Sequence, residues 1–284
     1  MTAGAPERGS YYLLGHTPSE LDRLDLQGKL YLEITRRALL DAGLVAGQRV
    51  LDIGCGTGDV SLVAAEIVGP EGGVVGIDRG GSALEGARRK AAEAGARHVS
   101  FRVSEIDAFD EPGAYDALVG RFVLMHQPDP VATLAAAARA VRPGGAIVFI
   151  ESWMTLLRDG RDSHPPSPLY GRVVRWKCDV VGSAGADLDA GGRLRSVFIE
   201  AGLPAPRTRL EASLVGGPDS AYYRYVAESV RSMLPAAERS GLPGLEALDV
   251  TSPEELAEKL RDEAVAGGGV LVAWPVVVAT TRTR

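Results

Sequence analysis

The sequence predicts an α/β fold with a doubly wound, seven-stranded sheet. The sheet is mostly parallel, with an antiparallel last strand and helical lid insertions. Three observations predict it. Short apolar strands alternate with helices from residue 49 to residue 151, a glycine-rich turn follows the first strand, and an apolar strand at 270–280 lies near the end of the chain. Continuous apolar strands of this kind are typical of a parallel sheet that helices cover on both faces.

Each element has its own signal in the sequence. Leucines and Ile34 recur at helical spacing over residues 19–43, and Gly43 ends that helix. Gly95 and Gly202 end two later helices, and Pro143 with Gly144 stops a third. The predicted strands are 49–53, 74–77, 99–103, 115–119, 146–151, 207–214 and 270–280. The predicted helices are 19–43, 58–68, 82–94, 130–141, 169–181 and 193–201, with a further helical stretch at 220–266.

Composition narrows the classes of partner and compartment. The net charge of −6 argues against DNA, RNA and anionic membranes as partners. The two cysteines, Cys55 and Cys178, form no C-x-x-C pair, which fits a reduced, cytoplasmic setting. The N-terminus lacks the apolar core of a signal peptide, and no apolar run reaches the ~20 residues of a membrane span. No His, Cys and Asp grouping has metal-ligand spacing, so we expect no metal. Frequent Ala, Gly, Val and Arg are typical of a GC-rich bacterial genome.

The most informative segment is the turn with Gly54, Gly56 and Gly58, directly after a strand and before a helix. Glycine lets the backbone turn sharply and lets a ligand approach closely. The dinucleotide fingerprint is G-x-G-x-x-G, with a diphosphate at the helix start, whereas here the spacing is G-x-G-x-G. Asp52, just upstream, would repel a diphosphate and tolerate an ammonium group. The turn therefore favours another ligand, although a nicotinamide enzyme stays an alternative.

Residues 50–59 resemble the first motif of class I S-adenosylmethionine-dependent methyltransferases of the bacterial small-molecule type, which have a Rossmann-like fold. The resemblance covers residues 45–151 and implies a methyltransferase with S-adenosylmethionine as its cofactor. Asp78, at the end of the second strand, stands where the family's acidic residue accepts hydrogen bonds from the ribose hydroxyls. Glu105 and Ile106 match the adenine-binding position, with Asp107 as an alternative in a shifted register.

Residues 115–126 resemble the family's fourth motif, which lies beside the methionine part of the cofactor. Gly120-Arg121-Phe122-Val123 replaces the [DN]-P-P-[YF] sequence of many amide- and amine-methylating relatives, which argues against DNA-adenine and protein-glutamine substrates. The predicted cofactor-binding residues are Tyr12, Gln27, Asp52, Gly54, Cys55, Gly56, Gly58, Asp78, Arg79, Glu105, Ile106, Arg121 and His126. For Tyr12 and Gln27, which resemble an N-terminal cover, cofactor contact and simple packing are equally open.

With this resemblance the chain divides into four predicted parts. Residues 1–44 form an N-terminal helical cover, and residues 45–151 form the S-adenosylmethionine-binding core. Residues 152–190 form a lid or substrate segment. Residues 191–284 supply the rest of the sheet, with a helical insertion at about 217–268. An insertion of this length between two sheet strands is either functional or a separate cap.

In methyl transfer from a sulfonium the leaving group is already good, so the protein mainly has to align the nucleophile and exclude water. A general base is therefore optional. The candidate bases are His126 and Glu151, with His164 as a third; a structural role for His126 is equally open.

Aromatic residues after the fifth strand predict an apolar pocket for a small hydrophobic or aromatic acceptor, such as a secondary metabolite. The predicted substrate contacts are Trp153, Tyr170, Trp176 and Tyr222, unless they form the lid's own core.

Two other functions remain open at this stage. A methyltransferase fold can hold the cofactor without using its chemistry, as in a cyclase or isomerase, or it can act as a non-catalytic binding module. The predicted partner is a small-molecule substrate, and a homodimer is possible. The sequence does not identify the acceptor or the methylated atom.

Overall fold

A seven-stranded sheet forms the centre of the computed structural model, which describes residues 18–284, with side chains from residue 23 onward. Tyr12, predicted above to contact the cofactor, lies outside the described residues. In chain order the strands are β1 (Arg49–Ile53), β2 (Gly73–Asp78), β3 (Val99–Val103), β4 (Tyr115–Arg121), β5 (Val141–Ser152), β6 (Ser163–His164), β7 (Arg207–Glu211), β8 (Leu214–Gly216), β9 (Val270–Val272) and β10 (Val276–Arg282).

The described helices surround this sheet and extend beyond it on one side. They are α1 (Pro18–Leu30), α2 (Leu32–Asp41), α3 (Asp59–Val68), α4 (Gly81–Glu93), α5 (Pro130–Ala138), α6 (Pro168–Ser183), α7 (Ala190–Glu200), α8 (Tyr222–Arg239) and α9 (Pro253–Ala266). Local sequence explains several helix starts. Asp129, Ser167 and Ser252 each accept a hydrogen bond from a first-turn N–H, and a proline follows each of them.

The strand order of the main sheet is β3-β2-β1-β4-β5-β10-β7. The strands β1 to β5 pair in parallel, whereas β10 runs antiparallel to both of its neighbours. This arrangement confirms the predicted fold class. Because the parallel strands all point the same way, their carboxyl ends share one edge of the sheet, where ligands bind in such folds.

Three predicted elements are divided in the structure. The helix expected at 19–43 is two helices, α1 and α2, which meet at Tyr31. The strand expected at 270–280 is β9 and β10, with Pro275 between them, because proline has no N–H to continue a ladder. The strand expected at 207–214 ends at Glu211, and β8 follows it. The short strands β6, β9 and β8 form a second, antiparallel sheet.

Alternating strand residues build two separate cores on the two faces of the main sheet. Val148 and Ile150 pack with α2 and α3 on one face. Ile147 and Phe149 pack with α5 and α7 on the other. A third core joins α6, α8 and α9 with Leu271 and Trp274. None of the helices in the described part of the chain is long and apolar enough to cross a membrane.

Candidate functional site

A cavity of about 920 Å³ opens at the carboxyl-end edge of the parallel strands. This volume lies near the top of the range for small-molecule sites, about 300–1,000 Å³. We call the wall formed by residues between 52 and 136 the strand-end half, and the wall formed by residues between 152 and 274 the lid half. Three residues of α1 between 23 and 27, and Tyr31 just after this helix, complete the wall. The cavity thus joins the ends of the parallel strands to the third core.

The glycine turn lies on the floor of the strand-end half. Gly54 and Gly56 have φ angles of +59° and +52°, which side chains other than glycine rarely adopt. A Cβ on Gly54 would lie 2.7 Å from Cγ2 of Val123, whereas one on Gly56 would meet no atom within 4 Å and would enter the cavity. Cys55 also lies on the wall, but Gly58 does not: a Cβ there would press on Ala87 and Phe101 at 3.0 Å. Gly58 therefore allows close packing below the turn.

Asp52 and Arg121 bring opposite charges to the wall at the ends of β1 and β4. One oxygen of Asp52 accepts a hydrogen bond from Ser61, and Oδ1 has no partner among the described residues. Burial raises the pKa of Asp52 to about 7, against the opposing effects of Ser61 and Arg121. The Arg121 guanidinium donates to Thr35 at 3.0 Å. An unpartnered carboxylate oxygen beside a guanidinium fits the ammonium and carboxylate of an amino acid.

Asp78 holds the turn from the neighbouring strand. Its two carboxylate oxygens accept hydrogen bonds from the N–H groups of Gly56, at 2.9 Å, and Gly80, at 2.8 Å. Each carboxylate oxygen can accept more than one hydrogen bond. Asp78 therefore fixes the turn and keeps acceptor capacity for two neighbouring hydroxyl groups of a ligand.

The loop after β3 forms the next part of the wall. Its N-terminal end is fixed because the N–H of Ser104 donates to the Asp78 carbonyl at 3.0 Å. Glu105, Ile106 and Asp107 all line the cavity. Arg79 also lies on the wall.

Arg23, Leu24 and Gln27 of α1 line the cavity. Oε1 of Gln27 accepts hydrogen bonds from Arg23, at 2.5 Å, and from the Tyr225 hydroxyl, at 3.4 Å. Tyr225 belongs to α8, so these contacts tie α1 to α8. All three residues line the cavity.

The two predicted bases have different surroundings. His126 lines the cavity, and burial lowers its pKa to about 4, with smaller effects from Arg79 and Arg23. Such an imidazole is neutral at pH 7 and holds a proton weakly.

Contrary to the sequence prediction of a catalytic role, Glu151 does not reach the cavity wall. It is fully buried, and its carboxylate accepts hydrogen bonds from the N–H groups of Val123, Leu124 and Met125 at 2.9, 2.8 and 3.4 Å. Burial raises its pKa to about 7. The carboxylate therefore fixes the turn that follows β4, and this hydrogen-bonding role is one that its position at a strand end does not reveal.

The four aromatic residues predicted to contact substrate also lie outside the cavity wall. Tyr170 and Tyr222 are buried, with hydroxyls 2.6 Å apart. The indole N–H of Trp176 donates to the Pro243 carbonyl, and that of Trp153 to Asp189. These side chains pack within the protein because their apolar rings fill its cores. The third predicted base, His164, lies in β6, away from the cavity wall.

Several wall residues were missed by the sequence analysis, among them Phe122, Lys177 and Trp274. Phe122 has a φ of +57° at the end of β4, an unusual conformation for a bulky residue and one that clusters at functional sites. Lys177 offered one signal. In α6 it lies on the face opposite exposed Arg175 and Asp179, so helical spacing places a lysine among buried residues.

Residues 44–177 match the family model of a methyltransferase domain. The chain carries a class I S-adenosylmethionine-dependent methyltransferase domain. The resemblance seen in the sequence is thereby confirmed, and S-adenosylmethionine is the cofactor of the methyltransferase domain. The residues of the strand-end half fit that molecule. The unpartnered Oδ1 of Asp52 suits its ammonium, and the open space over Gly56 admits it without a Cβ in the way.

Two curated relatives match the methyltransferase domain. Over 132 residues the chain is 37% identical to aklanonic acid methyltransferase DauC of Streptomyces sp. (strain C5), covering 46% of this chain and 59% of the relative. Over 107 residues it is 40% identical to the ubiquinone biosynthesis O-methyltransferase of Nitrosospira multiformis, covering 37% of this chain and 43% of the relative. The chain thus spans about half the length of these relatives.

A solved structure supports the fold. The S-adenosylmethionine-dependent methyltransferase from Aquifex aeolicus superposes with a TM-score of 0.51 at 21% identity, covering 72% of this chain and 95% of that chain.

Proposed function

We propose that this protein transfers the methyl group of S-adenosylmethionine to a small, hydrophobic or aromatic metabolite. One observation carries the proposal. A single cavity joins a strand-end half, which fits the cofactor, to a lid half built largely from apolar and aromatic side chains. Relatives named for aklanonic acid methylation and for O-methylation in ubiquinone biosynthesis support a small-molecule acceptor.

The strand-end half supplies the cofactor contacts in this proposal. Asp52 and Arg121 bind the ammonium and carboxylate of the methionine part. Asp78 accepts hydrogen bonds from the ribose, and the loop at 104–107 faces the adenine. The cofactor, when bound, supplies a methyl group on a positively charged sulfur, which is a good leaving group.

The protein's own residues then align the acceptor and exclude water. The helix α1 closes over the cavity through Gln27, which accepts hydrogen bonds from Arg23 and Tyr225. The lid half offers Met154, Met233 and Trp274 as apolar wall for an acceptor. Excluding water strengthens electrostatic contacts in the site and protects the reacting groups. His126 remains the candidate base on the wall. Its lowered pKa makes it a weak base.

Two further expectations concern the setting of the enzyme. From the cysteine usage we expect it to work in the cytoplasm. A homodimer also stays a prediction, which size-exclusion chromatography with light scattering tests directly.

Mass spectrometry tests the proposed reaction. Purified protein is incubated with bacterial small-molecule extracts and with S-adenosylmethionine carrying a trideuterated methyl group. We expect a small apolar product that carries the label, together with S-adenosylhomocysteine. A changed product without label indicates a cyclase or isomerase, and the absence of any changed product in acceptor-rich extracts argues for a binding module. Either result contradicts the proposal.

A further inference from the structure

Charge is distributed unequally over the wall of the cavity. Every acidic residue on the described wall belongs to the strand-end half, and these are Asp52, Asp59, Asp78, Glu105, Asp107 and Asp129. In the lid half, within the described residues, Lys177 is the one charged side chain. The lid half therefore presents a cation on an otherwise apolar and weakly polar surface.

Lys177 is nearly inaccessible to solvent, at 2% exposure. Its ammonium lies 4.8 Å from the centre of the Trp274 ring and 5.4 Å from that of Tyr225. Among the side chains described from residue 23 onward, no carboxylate lies within ion-pair distance of its Nζ. Aromatic faces attract a cation but do not replace a negative partner.

The neighbouring charge is also positive. Arg23 of α1, another cavity residue, is 5% exposed. After burial, its positive charge is the next largest influence on the pKa of Lys177, and it lowers that pKa. Burial lowers the pKa of Lys177 to about 7. Burying an ammonium without an anion is costly, so such a lysine either gives up its proton or gains an anionic partner.

We infer that Lys177 binds an anionic oxygen of the methyl acceptor, so that the acceptor is a largely apolar, aromatic acid. This inference rests on the proposed function and names the substrate class for the same cavity. The rings of Trp274 and Tyr225 beside the ammonium give an aromatic acid apolar surface next to its charge.

The cofactor's own carboxylate is the competing partner for Lys177. Arg121 is placed better for it, because the charges that act on Arg121 include Asp52 and Asp59 of the strand-end half. Neither aspartate is among the groups that shift Lys177. Arg121 thus belongs to the strand-end half and Lys177 to the lid half, with Tyr225 near both.

Calorimetry with matched probes tests the inference. Full-length protein saturated with S-adenosylhomocysteine is titrated at about pH 6 with benzoate, 2-naphthoate and 2-anthroate, and with the amide of each acid. We expect at least one acid to bind about tenfold more tightly than its amide, because a charge-assisted hydrogen bond is stronger than a neutral one. In Lys177→Met and Lys177→Gln that preference disappears. In Lys259→Met, which changes an exposed lysine of α9, it persists.

Three results separate the explanations. Equal affinity for each acid and its amide, or no detectable binding of any acid, overturns the inference. So does a weaker affinity for S-adenosylhomocysteine in Lys177→Met, which would assign Lys177 to the cofactor. If the wild-type protein does not bind S-adenosylhomocysteine at all, the proposed function itself fails. Thermal melts show whether Lys177→Met folds, and Lys177→Gln provides the second variant.

Discussion

The two halves of the cavity are built in different ways. The strand-end half comes from short segments that directly follow β1, β2, β3 and β4, and each segment has a recognisable sequence. The lid half joins residues far apart in the chain, such as Ser152, Lys177 and Trp274. The first half is acidic and holds backbone donors in fixed positions, whereas the second is apolar around one cation. Under the proposed function, cofactor binding is therefore encoded locally and acceptor choice by the tertiary fold.

The largest effect should come from Asp78, which fixes the turn and, in the proposed function, accepts hydrogen bonds from the ribose. We expect Asp78→Ala to weaken binding of S-adenosylhomocysteine by about 100-fold, since two hydrogen bonds to a charged acceptor are lost. Calorimetry measures the affinity. Asp179→Ala, an exposed aspartate paired with Arg158, is the control and should keep wild-type affinity. A wild-type affinity in Asp78→Ala would remove the strand-end half from the cofactor site.

Gly56 tests the open space over the turn. Gly56→Ala and Gly95→Ala both place a side chain at a positive φ, +52° and +66°, with no atom near the new Cβ. Each should lose about 1–2 kcal/mol of stability, because the left-handed conformation disfavours a Cβ. Only Gly56→Ala should also lose affinity for S-adenosylhomocysteine, about 10- to 100-fold, because its Cβ enters the cavity. Equal affinities in the two variants would contradict the view that the open space over Gly56 admits the cofactor.

Asp52 predicts a pH dependence of cofactor binding. A ligand ammonium needs the charged carboxylate, and the Asp52 pKa is about 7. As the pH increases towards 7, the affinity for S-adenosylhomocysteine should therefore rise by up to about tenfold per pH unit, and above pH 7 it should level off. Asp52→Asn should flatten this profile. A profile that is unchanged in the variant would assign the ammonium to another group.

The same variant should change apoprotein stability in the direction that linkage requires. A raised carboxyl pKa gives stability that is complete below the unfolded value of 3.8 and is lost as pH rises through about 7. Chemical denaturation of Asp52→Asn should show a smaller decline across this window. Part of the decline should remain, because burial raises the pKa of Glu151 into the same range.

Glu151 lies outside the cavity wall and holds the turn after β4, so its replacement should change stability more than binding. Glu151→Gln should lower the free energy of unfolding by about 1–3 kcal/mol, because the charge is lost and the amide nitrogen cannot accept the hydrogen bond from Met125. Any methyl transfer should keep its dependence on pH. Loss of that dependence, with stability intact, would restore the catalytic role.

Tyr222 tests whether the lid's aromatic residues form a core. Tyr222→Phe removes the hydroxyl that lies 2.6 Å from that of Tyr170. We expect a loss of about 1 kcal/mol in stability and unchanged binding of S-adenosylhomocysteine and of aromatic acids. A selective loss of acid binding would move this pair into the acceptor site.

The limits of sequence reasoning follow the same division. The bounds of β1 and the edge position of Asp78 could be predicted, because periodicity and the glycine turn are local signals. The placement of Tyr170 and Trp176 away from the cavity could not, since it depends on which face of α6 meets α8. The role of Glu151 likewise depends on a turn that lies beside it only in the folded chain. Lys177 could have been noticed as a lysine on a buried helical face, but its contact with Trp274 could not.

The central claim is that the strand-end half binds an adenosyl amino acid rather than a dinucleotide. Calorimetry of the purified wild-type protein with S-adenosylhomocysteine, and in parallel with NAD, tests it most directly. We predict saturable binding of about one S-adenosylhomocysteine per chain and no heat from NAD. Saturable binding of NAD, with no binding of S-adenosylhomocysteine, would contradict the account.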